Sequence, residues 1–321
     1  MVKDCCHINR REFLRTVVAL GAAYGVRPLL GVPAWAEAAS RMRRRPDSLG
    51  DLESVVALAQ GKGPGANTEA VLEALGGIGR FVKKGSFVAV KPNISWNRLP
   101  EQGANTNPEV VAAVVKACLR AGAGRVVVFD CTAEDSRRTY RRSGIGEAAE
   151  AAGARVEQVT AGDFVEVPIP QGKSLTRWAF HRYAFEADVL INVPVAKGHN
   201  EAVLTVAMKN LMGVMGGERG DVHIDIHQKL ADVSTVIQPD LNVIDATRIM
   251  VAHGPQGTSP DDLRATDIII AAVNQVTADA YAAQTLPFPG LPEGGLFGYI
   301  KAAGAMGLGE TSLAKMTVRK A

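Results

Sequence analysis

The chain has 321 residues, of which 47% are hydrophobic and 21% are charged. This composition is enough for one large core or two modest ones and predicts a soluble globular protein. Lysine and arginine number 36 against 33 aspartates and glutamates. The segment through Ala36 holds five of those basic residues and two of the acidic ones, so residues 37–321 carry 31 of each. The small positive charge of the whole chain therefore indicates no nucleic-acid or acidic-membrane partner.

The first 36 residues have the layout of a twin-arginine export signal. Arg10 and Arg11 precede a bulky apolar pair, and a weakly apolar stretch follows over residues 16–26. That stretch is too short and too mild for a stable membrane anchor, and residues 34–36 supply the small-x-small pattern for cleavage before Glu37. The pattern predicts the twin-arginine translocase as an export partner and a periplasmic or extracellular location. The alternative is an ordinary amphipathic helix at residues 1–36.

The four cysteines limit the metal and redox chemistry that we expect. Cys5 and Cys6 fall within the predicted signal, and Cys118 and Cys131 have no C-x-x-C spacing. An iron–sulfur cluster is therefore not expected in this chain. Cys118 and Cys131 are compatible either with one disulfide or with two buried free thiols.

Alternating helical and strand patterns predict a single α/β domain over residues 67–321, after an N-terminal extension at 37–66. Strands separated by helices imply a mostly parallel sheet with helices on both faces, in Rossmann-like layering. The predicted strands are 87–90, 125–130, 155–159, 188–193, 241–244 and 268–272, and the predicted helices are 67–76, 107–122, 143–151, 201–211, 227–237 and one after 272. Between residues 160 and 180 the pattern lapses, which predicts a small inserted hairpin or lid.

Polar side chains stand where the predicted strands end. They are Lys91 with Asn93, then Asp130, Asn192 and Asp245. Ligands of open parallel sheets bind beyond the carboxyl ends of the strands, so these residues are candidates for one shared site. A purely structural sheet could show the same pattern, because aspartate and asparagine are common loop residues.

The densest cluster of chemically active residues follows Asn192 and contains Lys197, His199, Lys209, Asn210, His223 and His227. His223 and His227 would share one face of either a strand or a helix. With His199 as a third imidazole, they could bind a divalent metal. The alternative places His223 and His227 on an exposed polar turn.

The lysines indicate a second chemistry. Lys91, Lys197 and Lys209, together with the glycine-rich loop 213–220, could hold a small anionic ligand by charge and by backbone N–H groups. Neither a P-loop nor a dinucleotide fingerprint is present, so the sequence gives no support for ATP or NAD. A nucleophile elbow is also missing, which leaves a serine hydrolase without a visible nucleophile.

Several short motifs in this order resemble the domain-of-unknown-function family 362. They are Val-Lys-Pro-Asn at 90–93, Thr-Asn-Pro-Glu-Val-Val at 106–111, Ile-Asn-Val-Pro at 191–194 with Lys197 and His199, and Met-Lys-Asn-Leu-Met-Gly at 208–213. Asp245, the Gly-Pro turn at 254–255 and Asp279 in a late helix extend the match over most of residues 37–321. The resemblance implies frequent twin-arginine export and, in some members, a ferredoxin-like module whose cysteines this chain lacks. Gly198 stands where the family usually has threonine.

The sequence thus predicts an exported α/β protein, either an enzyme or a former enzyme, whose site binds a metal or an anionic ligand. A non-catalytic ligand-binding or cofactor-maturation factor is the alternative. The candidate catalytic residues are Lys91, Lys197, His199 and Lys209; the candidate ligand-binding residues are Asn93, Asp130, Asn192, Asn210 and Asp245; the candidate metal ligands are His199, His223 and His227. In this hypothesis His199 acts as metal ligand or general base, and the lysines hold an anionic group.

Overall fold

The structure is a computed structural model that describes residues 42–292 and 294–321. The predicted export signal at residues 1–36 lies outside the described residues. Residues 42–321 form one compact unit. None of the helices that the structure describes is long and apolar enough to cross a membrane.

Strands and helices alternate along the described chain. The strands are β1 (Val55–Gln60), β2 (Phe87–Pro92), β3 (Arg125–Asp130), β4 (Arg155–Gln158), β5 (Phe164–Pro168), β6 (Arg177–His181), β7 (Val189–Val193), β8 (Val195–His199), β9 (Val203–Thr205), β10 (Leu241–Met250), β11 (Leu263–Ala272) and β12 (Thr317–Lys320). The α-helices are α1 (Pro64–Ala74), α2 (Pro108–Arg120), α3 (Ser136–Arg142), α4 (Ile145–Ala151), α5 (Tyr183–Glu186), α6 (Ala207–Asn210), α7 (Ile226–Val233), α8 (Gln275–Thr285) and α9 (Gly298–Ala305).

The main sheet has the strand order β12-β1-β11-β10-β7-β2-β3-β4, and β8 and β9 extend it from β10. The run from β10 to β4 is parallel, whereas β11 pairs antiparallel with both β1 and β10. Alternate strand residues face opposite ways. Val88 and Val90 of β2 pack with residues of α1, α2 and α4, while Ala89 packs in the cluster that contains residues of α7, α8 and α9. The predicted α/β class with helices on both faces is confirmed.

The small insertion is also present. Strands β5 and β6 pair antiparallel as a separate two-stranded sheet within the segment 160–180 and its immediate flank. A difference occurs earlier in the chain: residues 55–60, which the sequence assigns to an N-terminal extension, form strand β1 between β12 and β11.

The prediction of a helix over residues 201–211 is wrong. The chain instead turns back after His199, and β9 pairs antiparallel with β8, with Lys197 opposite Thr205. Val203 adopts a positive φ of 70° in this turn, a conformation that a helix does not contain. Only the four-residue helix α6 follows, and it carries Lys209 and Asn210.

The register of three parallel strands brings the polar residues together. Lys91 of β2 lies opposite Asn192 of β7, and Asn192 lies opposite Asn242 of β10. Strand β3 ends at Asp130 beside β2. The sheet therefore presents a row of polar side chains at one edge of an otherwise apolar core.

Candidate functional site

A cavity with a volume of about 410 Å³ lies at the carboxyl edge of β2 and β3, is lined on its other side by the segments that follow β7, and opens to solvent. Among the described residues, its charged lining consists of four cations and one carboxylate: Lys91, Lys197, Lys209, Arg219 and Glu201. His199, His223 and Trp96 also line it. The cavity thus gathers members of both groups of candidates that the sequence singles out: Lys91 and Asn93 at the end of β2, and most of the later lysines and histidines.

Lys91 lines the cavity and forms a buried ion pair with Asp130, which lies behind it. Lys91 Nζ lies 2.8 Å from Asp130 Oδ1, and both side chains are 1% exposed. Lys91 also donates to the carbonyl of Pro92 at 2.7 Å, and Asp130 Oδ2 accepts from the N–H of Ile94 at 2.6 Å. Burial lowers the pKa of Lys91 and raises that of Asp130, and each charge opposes the shift of the other. The positive charge of Lys91 is therefore already matched inside the protein.

Gly213 packs directly against this pair. A Cβ at this position would overlap the Asp130 carboxylate and the end of the Lys91 side chain. The carbonyl of Gly213 accepts from the N–H of Cys131 at 2.9 Å, which fixes the backbone in place. Glycine is required here by space. This packing role differs from the predicted role of loop 213–220, which was to bind an anion through backbone N–H groups.

Lys197 enters the cavity from β8 and is 1% exposed. Its Nζ donates to Asn93 Oδ1 at 3.2 Å and to the carbonyl of Ala104. Burial lowers the pKa of Lys197 well below its ordinary value, and the nearby charge of Lys209 lowers it further. Asp130 opposes this shift but does not pair with Lys197.

Four asparagines form a hydrogen-bonded chain beneath the lysines. Asn93 Nδ2 donates to Asn210 Oδ1 at 2.9 Å, Asn210 Nδ2 to Asn192 Oδ1 at 2.8 Å, and Asn192 Nδ2 to Asn242 Oδ1 at 2.9 Å. Asn242 in turn donates to backbone carbonyls of the β11 end, at 2.9 and 3.3 Å. Each amide both donates and accepts, so the orientations of all four are defined.

The asparagine chain modifies the role that the sequence assigns to one of its members, Asn192. Asn93 and Asn210 line the cavity, whereas Asn192 lies behind them as a support. Asn242 was missed. The sequence does show Asn242 as the one polar residue in the otherwise apolar strand 241–244. A buried amide requires a polar partner, so this position indicates a polar neighbour.

Helix α6 is held in place by Asp279 of α8. The carboxylate of Asp279 accepts from the N–H groups of Ala207 and Met208, at 2.7 and 3.0 Å. Burial raises the pKa of Asp279 to about 8, and these two backbone bonds oppose the shift. Asp279, which the sequence indicates only as part of the family resemblance, thus caps the helix that carries Lys209 and Asn210.

Lys209 differs from the other two lysines of the cavity. It is partly buried, and its ammonium group has no hydrogen-bond acceptor or ion-pair partner among residues 42–292 and 294–321. Burial and the charge of Arg219 lower the pKa of Lys209, Glu201 opposes the shift, and the resulting pKa is about 8. Lys209 is thus a lysine whose charge the described protein does not match.

Arg219 is a cavity residue that sequence reasoning missed. Its guanidinium donates to the carbonyls of Cys131 and Thr132, at 2.7 and 2.5 Å, and its charge has no carboxylate partner among the described residues. The sequence predicts a binding role for the glycine-rich loop 213–220 only through its backbone N–H groups. The sequence signal for Arg219 was that it is the one arginine in this loop.

His199 is neutral, and its hydrogen bonds define which nitrogen carries the proton. Nδ1 accepts from the backbone N–H groups of Glu201 and Ala202, both at 3.2 Å, so Nε2 carries the proton. Burial, together with the charges of Lys209, His223 and Lys197, lowers the pKa of His199 to about 3. In this tautomer His199 is a hydrogen-bond donor at Nε2, which does not fit the predicted role of general base or metal ligand at that atom.

The three predicted metal ligands do not converge. The ring of His223 stacks on that of His199, with centroids 6.0 Å apart, and its Nε2 lies 3.4 Å from Glu201 Oε2. His227 packs elsewhere, against the ring of Tyr299 at 6.4 Å. No group of three His, Cys, Asp or Glu residues in the described chain is placed to hold a metal ion.

The local backbone explains this separation. Residues 219–223 form a 3₁₀ turn, and Asp225 then adopts a left-handed conformation with φ of 59° before α7 begins at Ile226. His223 and His227 therefore belong neither to one strand nor to one helix. Their spacing places both side chains on one face only if residues 223–227 form a single strand or a single helix.

Asp245 also lies outside the cavity lining. Its carboxylate accepts from the N–H of Asn107 at 2.7 Å, and from the N–H and hydroxyl of Thr247 at 2.9 and 2.7 Å. Asn107 is the N-cap of α2, so Asp245 fixes the start of that helix to the sheet edge. The structure assigns Asp245 a supporting position.

The two cysteines of the described region are free thiols. Cys118 is buried in α2, and Cys131 follows β3 directly. Burial raises the pKa of Cys118 to about 12, which makes its thiol unreactive at neutral pH. Of the two states that the sequence left open, the structure has the free thiols.

The chain is similar to known proteins at two levels. It is 29% identical over 229 residues to the thylakoid-associated protein sll1697 of Synechocystis sp., an alignment that covers 66% of this chain and 70% of that protein. Two crystal structures at 10% identity give low TM-scores: a protein from Thermotoga maritima (0.43, covering 77% of this chain) and the lactate racemase apoprotein from Thermoanaerobacterium thermosaccharolyticum (0.42, covering 70%). The chain spans 60% and 55% of the lengths of those two chains. Residues 88–284 match the family model described as "Domain of unknown function (DUF362)", and the chain belongs to this family.

Proposed function

We propose that the cavity binds a small anionic ligand, with Lys209 and Arg219 as its principal cationic contacts. The observation that carries the proposal is the charge imbalance of the lining, where four cations face one carboxylate. Lys91 is matched by Asp130, and Glu201 is half-exposed at the rim beside His223. The remaining positive charge is supplied mainly by Lys209 and Arg219, because burial and the charge of Lys209 lower the pKa of Lys197 well below its ordinary value.

An anion is the ligand that this environment favours on physical grounds. A cation that is withdrawn from water without a counterion is destabilised, as the lowered pKa of Lys209 shows. A bound carboxylate or phosphate supplies the missing negative charge in a region where the dielectric constant is lower than in water. The neutral His199 adds an N–H donor and no competing negative charge.

A calorimetric titration tests the proposal. We expect saturable binding of inorganic phosphate or of a small carboxylate such as glycolate at pH 7. Because a hydrogen bond to a charged group contributes about 1.5–3 kcal/mol, Lys209→Gln and Arg219→Gln should each weaken binding by about tenfold or more. Lys301→Gln removes an exposed lysine of α9 and serves as the matched control. Binding that is absent, or that all three variants leave unchanged, would contradict the proposal.

We further propose that the protein acts outside the cytoplasm after twin-arginine export. The support is the Arg10-Arg11 pair, the weakly apolar stretch behind it and the cleavage pattern at residues 34–36. The ligand site and the export route are independent proposals, because the first depends on the cavity and the second on residues outside the described chain.

A further inference from the structure

We infer that Lys209 forms an imine with the carbonyl carbon of its ligand, so that the cavity takes an anionic aldehyde or keto acid. The inference rests on the proposed anion-binding function and specifies it further. It assigns Lys209 a covalent role and names the chemical class of the ligand.

The hydrogen-bond partners single out Lys209 among the three lysines of the cavity. The ammonium of Lys91 is held by Asp130 and by the Pro92 carbonyl, and that of Lys197 by Asn93 and by the Ala104 carbonyl. Lys209 has no such partner within the described residues, and it lines the cavity. Its amine can therefore approach a ligand without breaking an existing contact.

The electrostatic surroundings favour the neutral amine that an attack on a carbonyl requires. Burial and the charges of Arg219 and Lys91 lower the pKa of Lys209 to about 8, while Glu201 acts in the opposite direction. With that pKa, about a tenth of the amine is neutral at pH 7, against less than about a thousandth for an ordinary lysine. A lysine lowered in this way beside other cations is a recognised form of activated nucleophile.

The rest of the lining suits an anionic carbonyl compound. Arg219 retains an unmatched charge for the carboxylate or phosphate, and His199 carries its proton on Nε2 as a neutral donor for the carbonyl oxygen. The ring of Trp96 forms an apolar part of the wall. A volume of about 410 Å³ accommodates a compact ligand of this kind.

The reaction needs no oxidant or reductant. The nitrogen lone pair of Lys209 forms a bond to the carbonyl carbon as the carbonyl π electrons move to oxygen, and transfer of one amine proton to that oxygen gives a carbinolamine. The hydroxyl group then leaves as water together with the second amine proton, and a C=N bond forms. The products are one imine and one water molecule.

Reductive trapping tests the inference. The purified protein is mixed with glyoxylate or with pyridoxal 5′-phosphate, borohydride is added to convert any imine to a stable secondary amine, and adducts are located by peptide mass mapping. Glyoxylate presents a carboxylate and pyridoxal 5′-phosphate a phosphate, so the arm that reacts identifies the anionic group. Glycolate and pyridoxine 5′-phosphate are the matched anions that lack the carbonyl, and they should compete.

We expect the adduct on the peptide that carries Lys209, at a rate at least about tenfold above that of any other lysine, as an activated amine requires. Lys209→Arg keeps the charge and should abolish that adduct, whereas Lys301→Arg should not. Mapping of the unmodified chain reports on Lys209 even if a variant fails to fold. Adducts spread evenly over surface lysines would overturn the inference. Binding of glycolate or pyridoxine 5′-phosphate without trapping at Lys209 would overturn the imine alone, and absence of binding would overturn the anion site as well.

Discussion

The close packing of Gly213 on the buried pair of Lys91 and Asp130 gives a sharp prediction for Gly213→Ala. The added methyl group meets the Asp130 carboxylate and the Lys91 side chain at once. Neither can move aside easily, because both are 1% exposed and are held by the Ile94 N–H and the Pro92 carbonyl. Overpacking costs about 1–3 kcal/mol, and disruption of a buried ion pair costs about 3–5 kcal/mol. We expect a loss of about 3 kcal/mol in the free energy of unfolding.

Urea denaturation of Gly213→Ala, followed by circular dichroism, measures this loss. Gly220→Ala is the matched control, since it adds the same methyl group to the same loop with no atom within 4 Å and no positive φ. We expect the control to stay within about 0.5 kcal/mol of the unmodified protein, as exposed substitutions usually do. A Gly213→Ala protein as stable as the control would refute the geometry proposed for the ion pair.

Three further predictions concern pH and export. The folded state raises the pKa of Asp279 to about 8, so the folded protein keeps a proton there that the unfolded chain releases near pH 4. The free energy of unfolding should therefore fall by up to about 1.4 kcal/mol per pH unit as the pH rises between these values. Asp279→Asn, measured by denaturation across this range, should remove that component. Phosphate binding should weaken as the pH rises through about 8, where Lys209 loses its proton. Calorimetry in buffers of different ionisation enthalpy should show proton uptake on binding at pH 8. Binding that is independent of pH would argue against contact with Lys209. Replacing Arg10 and Arg11 together by lysine should leave the precursor in the cytoplasm of a host with a twin-arginine translocase, and unchanged export on cell fractionation would count against that route.

The parts of the fold that were predictable from sequence depend on local patterns. The strands around Lys91, Asp130 and Asn192 stand out as short apolar runs that end in polar residues, and the register of a parallel sheet then brings those ends together. The N-cap Asn107 marks the start of α2, where its side chain accepts from the N–H of Glu109 at 2.9 Å. Elements that carry their own start and stop signals need no tertiary information.

The errors occur where tertiary contacts decide the backbone. Residues 201–211 have a helical pattern, yet pairing with β8 makes part of them a strand. The left-handed conformation of Asp225 separates His223 from His227. The sequence His-x-Asp-x-His at residues 223–227 contains no signal for a left-handed residue at its centre. The sequence contained a weak signal for Asn242 and for Arg219, but their roles follow from their partners in the structure: the neighbouring strand residue Asn192 for Asn242, and the carbonyls of Cys131 and Thr132 for Arg219.

The buried polar residues beneath the cavity explain why an anion should bind there rather than at an exposed cluster of lysines. Withdrawing an ammonium group from water costs several kcal/mol, and in this protein Asp130, Asn93 and backbone carbonyls offset part of that cost for Lys91 and Lys197 on folding, while the lowered pKa values of both lysines reflect the remainder. The asparagine chain then fixes Asn93 and Asn210, and Asp279 fixes the helix that carries Lys209. A ligand entering this cavity encounters partly buried polar groups, of which Lys197, Arg219, Asn93 and Asn210 are already held by hydrogen bonds. Less free energy is therefore spent on ordering the site during binding, which is the physical basis for expecting selectivity from so small a cavity.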